Sequence, residues 1–384
     1  MRSLPTIAVV AFLALVVTAC DRSPVDIEDD NVSVGGEPGD PEPTLPPPPQ
    51  TRAITVMTRN LYLGADLTPV MGAASPEEIP GAVGEAWNRI VLNDFPARAD
   101  AIAREIQGTR PDVIGLQEVA KFRIQSPGDF LVGNPQAATA VEYDYLTLLL
   151  DALQARGLSY RIASVVQNAD IELPAATSTG LIDVRWTDHD VILVRDGIQI
   201  TGETSNNFAL NVAIPVGGGN PITIRRGWNR VDLMIDDQPV HLVNAHLETD
   251  ETGPTIQEAQ ASELIGMLSG VAVPTIIMGD LNTLPDAAST ATYPMLLNAD
   301  FEDAQTSAMA RGSLPGYTCC FAPDLREGGL FERIDYLMVR GTRNQIVNVV
   351  NFVITGNLEA DETVTGLRPS DHVGVFARLK VVGN

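Results

Sequence analysis

The chain has 384 residues, 45% hydrophobic and 19% charged, which is enough apolar material for a sizeable buried core. That composition excludes a wholly disordered protein, a disulfide mini-scaffold and a collagen-like rod. A formal net charge of -24 argues against a scaffold that wraps nucleic acid, while leaving room for an enzyme that meets phosphate locally through metal ions.

At the N-terminus, Arg2 supplies a positive start and Ile7 to Val17 an apolar run too short to span a bilayer comfortably. Val17-Thr18-Ala19-Cys20 resembles a bacterial lipobox. Residues 1–19 are therefore expected to be a signal peptide, and Cys20 the lipidated first residue of an exported protein anchored to a membrane of the bacterial cell envelope. One lipid chain anchors weakly, so stable attachment calls for a second. Residues 20–50 are acidic and contain Pro46-Pro47-Pro48-Pro49, which reads as an extended, semi-rigid tether. Residues 51–384 show no repeat and no second linker, and are expected to form one monomeric catalytic domain.

Short apolar runs predict strands at Ala53 to Met57, Asp112 to Leu116, Val191 to Val194, Val240 to Val243, Thr275 to Met278, Ile334 to Val339 and Val373 to Leu379. Helical spacing predicts helices over Ala97 to Ile106 and Tyr143 to Ala155, and a third over Thr255 to Leu268, behind Gly253-Pro254. Asp196-Gly197 and Asp236-Asp237 sit between strand-like runs and predict hairpin turns. Strands and helices mix without strict alternation, which points to an α/β sandwich with mixed or antiparallel sheets. The adjacent Cys319 and Cys320 are compatible with a vicinal disulfide or with two buried thiols.

Nearly every predicted strand begins or ends in a polar cluster. Arg59-Asn60, Gln117-Glu118, His246-Leu247-Glu248 and Asp280-Leu281-Asn282 close strands, while Asp335 and Ser370-Asp371-His372 lie where strands open. If the strands lie side by side, Asn60, Glu118, His246, Asp280, Asn282, Asp335, Asp371 and His372 converge on one cleft. Carboxylates and amide oxygens are hard ligands suited to Mg²⁺, Mn²⁺ or Ca²⁺, and His and Cys are too few for a zinc site. A histidine beside a carboxylate serves as a general base. Together these parts describe metal-assisted phosphoester hydrolysis.

The order Arg59-Asn60, Leu116-Gln117-Glu118, Asn244-Ala245-His246-Leu247, Gly279-Asp280-Leu281-Asn282, Arg333-Ile334-Asp335-Tyr336 and Ser370-Asp371-His372 resembles the endonuclease/exonuclease/phosphatase superfamily, of deoxyribonuclease I-like fold. The resemblance implies a four-layer α/β sandwich: two central mixed or antiparallel sheets flanked by helices, with the site at one edge. It implies Glu118 as principal Mg²⁺ ligand, Asn60 near the same ion, and Asp371 supporting the metal shell. Asp280 and Asn282 would orient water and phosphate. His372, oriented by Asp335, and His246 would share proton transfer and phosphate binding. In secreted relatives an acidic residue positions the equivalent of His246, and Asp188 and Asp190 are placed for that task. Arg225, Arg226 and Trp228 form the one compact basic and aromatic cluster, a candidate for substrate binding.

The substrate expected is a phosphodiester, of nucleic acid or of a phospholipid head group. A nuclease or general phosphodiesterase leads. A sphingomyelinase-like lipid phosphodiesterase is the alternative, and a catalytically silent binding protein of the same fold is the third.

Overall fold

In the computed structural model the described residues are 51–133, 136–216, 221–235, 237–251, 253–310 and 316–383. The expected signal peptide, Cys20 and the tether lie outside them. Strand β1 (Thr51–Asn60) leads to helices α1 (Thr68–Met71), α2 (Ile79–Leu92) and α3 (Phe95–Thr109). Strands β2 (Val113–Gln117), β3 (Lys121–Gln125) and β4 (Ala140–Asp144) precede α4 (Tyr145–Ala155). Then come β5 (Tyr160–Thr177), β6 (Gly180–Arg195), β7 (Gln199–Asn207), β8 (Val212–Pro215), β9 (Pro221–Ile224), β10 (Gly227–Ile235) and β11 (Gln238–His246). The remainder is α5 (Pro254–Met267), β12 (Thr275–Asp280), α6 (Thr292–Asn298), β13 (Glu302–Asp303), α7 (Ala304–Met309), β14 (Asp335–Arg340), β15 (Gln345–Thr355) and β16 (Gly374–Gly383).

One sheet runs β15-β16-β1-β2-β6-β3-β4, with β5 paired to β6; the other runs β13-β14-β12-β11-β10-β7. Between their inner faces lies a core that includes Val56, Val113, Ile192, Leu242, Met278 and Leu337. Helices α2, α3 and α4 cover the outer face of the first sheet through Ile90, Ile102, Ile106, Leu149 and Leu153. Helices α5 and α6 cover the second through Ala261, Leu264 and Leu296. These are the four layers of the expected sandwich. Among the described residues, no helix is long and apolar enough to cross a membrane.

Local chemistry explains the helix starts. Asp94 accepts a hydrogen bond from the Ala97 amide ahead of α3, Asp144 accepts one from Thr147 ahead of α4, and Pro254 opens α5. The turn at Asp236-Asp237 joins the antiparallel pair β10 and β11, with Asp237 at φ 62°, while Asp236 itself lies outside the described residues. The hairpin expected at Asp196-Gly197 is not formed. Gly197 does supply a turn at φ 91°, but the chain crosses there from one sheet to the other. Strand β6 already pairs with β5 along one edge and with β2 and β3 along the other, so β7 has no free edge to join and pairs with β10 instead.

Candidate active site

The site is the continuation of the inter-sheet core. Side chains alternate along a strand, so the rows that send Val56, Val113, Leu242, Met278 and Leu337 inward also send Asn60, Gln117, His246, Asp280 and Asp335 inward at the strand ends. Register aligns these rows: Asn60 is opposite Gln117, and His246, Asp280 and Asp335 are successive neighbours across β11, β12 and β14. The sheets are joined at this level by a 2.6 Å hydrogen bond from Gln117 Nε2 to Asn244 Oδ1. Gly115 permits this approach, since a Cβ there would meet Asn244 Oδ1 at 2.6 Å. Within the second sheet, Gly279 keeps β12 close to β11. Its φ is 154°, and a Cβ there would meet the Ala245 carbonyl oxygen at 1.9 Å.

Asp280 stands between two imidazoles. Its Oδ2 lies 3.7 Å from His246 Nε2 and 3.8 Å from His372 Nε2, and accepts a 3.1 Å hydrogen bond from Asn60 Nδ2. His372 Nδ1 is 2.9 Å from Asp335 Oδ2, which turns Nε2 toward Asp280 and, at 4.0 Å, Asp371. Burial lowers the affinity of His372 for a proton, but the charges of Asp335, Asp371 and Asp280 outweigh it and hold the group well above the usual histidine range. The loop bearing His372 is held by Arg59, whose guanidinium donates to the His372 carbonyl at 2.6 Å and pairs with Glu105 at 2.9 Å. Ser370 Oγ donates to the Asn60 carbonyl at 2.9 Å. Cys319 and Cys320 are disulfide-bonded, and Cys319 Sγ lies 3.6 Å from His372 Nε2.

His246 has a different shell. Its Nδ1 is 3.6 Å from Asp190 Oδ1, and Arg226 Nη1 is 2.9 Å from its Nε2. Burial and Arg226 both lower its proton affinity, yet Asp190 and Asp280 outweigh them and raise it. Asn168 Nδ2 donates to Asp190 at 2.8 Å and reaches Asp188 at 3.4 Å.

A cavity of about 290 Å³ opens beside these rings, bordered by Glu118, Asp188, Asp371, Arg226, Glu248 and Tyr62. Glu118 sits at φ 54°, immediately beyond β2, and is held by Asn60 Nδ2 at 3.1 Å and the Leu63 amide at 2.8 Å. Burial, reinforced by the charge of Glu118, pushes both Asp188 and Asp371 up to about 7. The buried Asp188 Oδ1 has no hydrogen-bond partner. Oxygen donors gathered with an excess of negative charge fit a hard divalent cation. Asp280, Asp335 and His372 also bring ligand atoms within 4.8 Å of one another. In that trio, however, Asp335 is engaged by the His372 ring, so the oxygen-only wall of Glu118 and Asp371 fits Mg²⁺ better.

The structure thus gathers Asn60, Glu118, His246, Asp280, Asp335, Asp371 and His372. Asn60 lies beside the expected ion position: its amide donates to Glu118 and Asp280, which positions those carboxylates, and its Oδ1 accepts from the Tyr62 amide. Asn282 donates its backbone amide to Asp280 Oδ1 at 3.1 Å and its Nδ2 to the Leu247 carbonyl at 3.0 Å, tying the loops after β11 and β12 together beside Asp280. The place beside His246 belongs to Asp190, whereas Asp188 faces the cavity; both lie within β6. Of the basic cluster only Arg226 reaches the site. Arg225 is exposed, and strand alternation turns Trp228 onto the opposite face of β10, against the α5–α6 core. Sequence reasoning missed Asn168, which no motif marks. It also missed Glu248, 3.4 Å from Arg226, although the spacing of two from His246 was readable.

The sequence profile of the Endonuclease/Exonuclease/phosphatase family matches residues 91–372. A Drosophila melanogaster protein provisionally named a neutral sphingomyelinase is 29% identical over 170 residues, which cover 41% of this chain but only 36% of that relative's length. A structure of an endonuclease/exonuclease/phosphatase family protein from Leptotrichia buccalis superimposes with TM-score 0.51 at 17% identity, covering 85% of this chain and 99% of the other. Humanized D. rerio TDP2 superimposes with TM-score 0.50 at 14% identity, covering 85% and 98%. The structural likenesses carry the fold, the profile match spans most of the chain, and the chain belongs to the Endonuclease/Exonuclease/phosphatase family.

Proposed function

We propose that the protein is a divalent-metal-dependent phosphodiesterase in which water attacks phosphorus. The observation that carries this reading is the Asp280 carboxylate held between two imidazoles, each with its own acidic partner. Asp280 orients the attacking water and accepts its proton. His372, kept in one orientation by Asp335, holds its proton and donates to the phosphoryl oxygens, and His246, backed by Asp190, donates to the leaving oxygen once Arg226 turns from its Nε2 to the phosphate. Arg226 presents a guanidinium to the phosphate from the cavity wall. A Mg²⁺ ion, or Mn²⁺ or Ca²⁺ in its stead, bound at Glu118 and Asp371 would neutralise charge on phosphorus-bound oxygen. A catalytically silent relative has no use for this arrangement.

Hydrolysis of bis(4-nitrophenyl) phosphate in Mg²⁺, abolished by chelation, is the expected result; no turnover with any divalent ion would return the protein to the silent reading. Parallel assays on plasmid DNA and sphingomyelin vesicles divide nuclease from lipid phosphodiesterase.

The proposal places the enzyme, as a monomer, on the envelope membrane through Cys20. This rests on the lipobox-like Val17-Thr18-Ala19-Cys20. In a bacterial host the full chain is expected to partition into the membrane fraction and Cys20→Ala to leave it; equal partitioning of both refutes the anchor.

A further inference from the structure

The polar cavity does not end at polar residues. Leu63, Leu67, Met71, Trp186, Ile214 and Ile224 line it and also line a second chamber of about 80 Å³ beside it. Every side chain around that second chamber is aliphatic, thioether or aromatic; they come from the β1–α1 segment, α1, α2, β3, β5, β6 and the β8–β9 ribbon. The ribbon pairs with neither large sheet. Its strands alternate: Ile214, Ile222 and Ile224 are half-buried and line the chamber, while Ala213, Pro215, Pro221 and Thr223 are exposed. An isolated two-stranded ribbon gains its stability from such packing, so its apolar face is committed to this chamber.

The two cavities divide chemically. Glu118, Asp371 and Arg226 border one and suit a charged phosphodiester. The other offers a bound group a single polar contact, the unpartnered indole N–H of Trp186, among otherwise apolar side chains, so water inside it gains little and hydrocarbon gains most. A nucleobase displays donors and acceptors along its edges, and these would be stranded there. The net charge of -24 also disfavours a long polyanion.

We infer that the apolar chamber receives a hydrocarbon chain borne by the phosphodiester, so that the substrate is an amphiphile of phospholipid type. This rests on the phosphodiesterase reading and names the substrate class of that same site. The phosphate lies at Arg226 and Glu118, and the chain passes Leu63 and Trp186 to end beneath the ribbon.

Two paired measurements test it. The first is calorimetric binding of ethylphosphonate and octylphosphonate in Mg²⁺. The second is turnover of 4-nitrophenyl ethyl phosphate and 4-nitrophenyl octyl phosphate below the micelle concentration. Each buried methylene is worth about fourfold, so burial of about three favours the octyl compound on the order of 50-fold in Kd and in kcat/KM. Ile222→Asp, which puts a charge in the chamber, is expected to bring the octyl-to-ethyl ratio to about one. If that variant unfolds, Val83→Phe, which fills the chamber from α2, gives the same comparison. An octyl compound no better than its ethyl counterpart in the unaltered protein overturns the inference. So does an octyl preference that survives both substitutions, or plasmid DNA cleaved faster than the octyl diester. If neither diester is hydrolysed, the phosphodiesterase reading falls, and the phosphonate pair still decides the chamber.

Discussion

Replacing His372 by alanine is expected to lower Mg²⁺-dependent phosphodiester turnover by roughly 10²- to 10⁴-fold, the range for loss of a positioned proton-transfer group. Removing the ring also leaves the buried Asp335 carboxylate without its partner, which costs stability, but the backbone path does not depend on it. The neighbouring loop is fixed through backbone atoms, with the His372 carbonyl on Arg59 and its amide on Ser370 Oγ at 3.2 Å. Circular dichroism of His372→Ala should therefore remain near that of the unaltered protein, with a lowered unfolding midpoint, while kcat of the folded protein collapses. Asp335→Asn should lose part of the same rate, because the amide fills the space of the carboxylate but removes the charge that holds the proton on the ring at 2.9 Å. A His372→Ala enzyme with unreduced kcat would remove this residue from the chemistry.

Chelation of divalent cations is the second large effect, and its pH dependence carries a definite sign. Asp188 and Asp371 have folded-state values raised to about 7 by burial, with Glu118's charge adding to it. An aspartate in the unfolded chain titrates near ~3.9. Stability that comes from keeping these protons is fully present below the unfolded value and is lost as pH rises through about 7. The metal-free protein is therefore expected to lose stability between about pH 4, the unfolded value, and about pH 7, the folded one. Metal competes with protons for the same oxygens, so the stabilisation conferred by Mg²⁺ should grow over that interval. With Mg²⁺ at about a hundred times Kd it approaches about 2.7 kcal/mol. Thermal melts with and without Mg²⁺ at several pH values check this. A metal-induced shift that is flat with pH, or larger in acid, would remove the buried acid wall as the ion's site.

How much of this was legible beforehand depends on the distance over which each fact is decided. Strand ends such as Arg59-Asn60 and Gly279-Asp280-Leu281-Asn282 are local patterns, apolar runs halted by polar residues, and the strands fell where the runs are. Strand β5 and helix α2 went unread. The burial of β5 is interrupted by exposed positions and by irregular pairing with β6 near Ile162 and Gln167. Helix α2 begins at Ile79-Pro80 with no side-chain cap to mark it.

The sequence by itself determined the sandwich class and the polar residues that arrive at one edge, because a period of two along each strand carries both the core and the row of chemistry beyond it. Tertiary structure alone decided which neighbour in each local cluster faces inward. Asp190 rather than Asp188 backs His246, Arg226 rather than Trp228 enters the cleft, and Asn60 donates to both Glu118 and Asp280. The apolar chamber was likewise beyond sequence reading, since its walls come from the β1–α1 segment, α1, α2, β3, β5, β6 and a ribbon more than a hundred positions apart. Local patterning specifies which side chains are available; sheet register and the packing of layers fix which atoms meet.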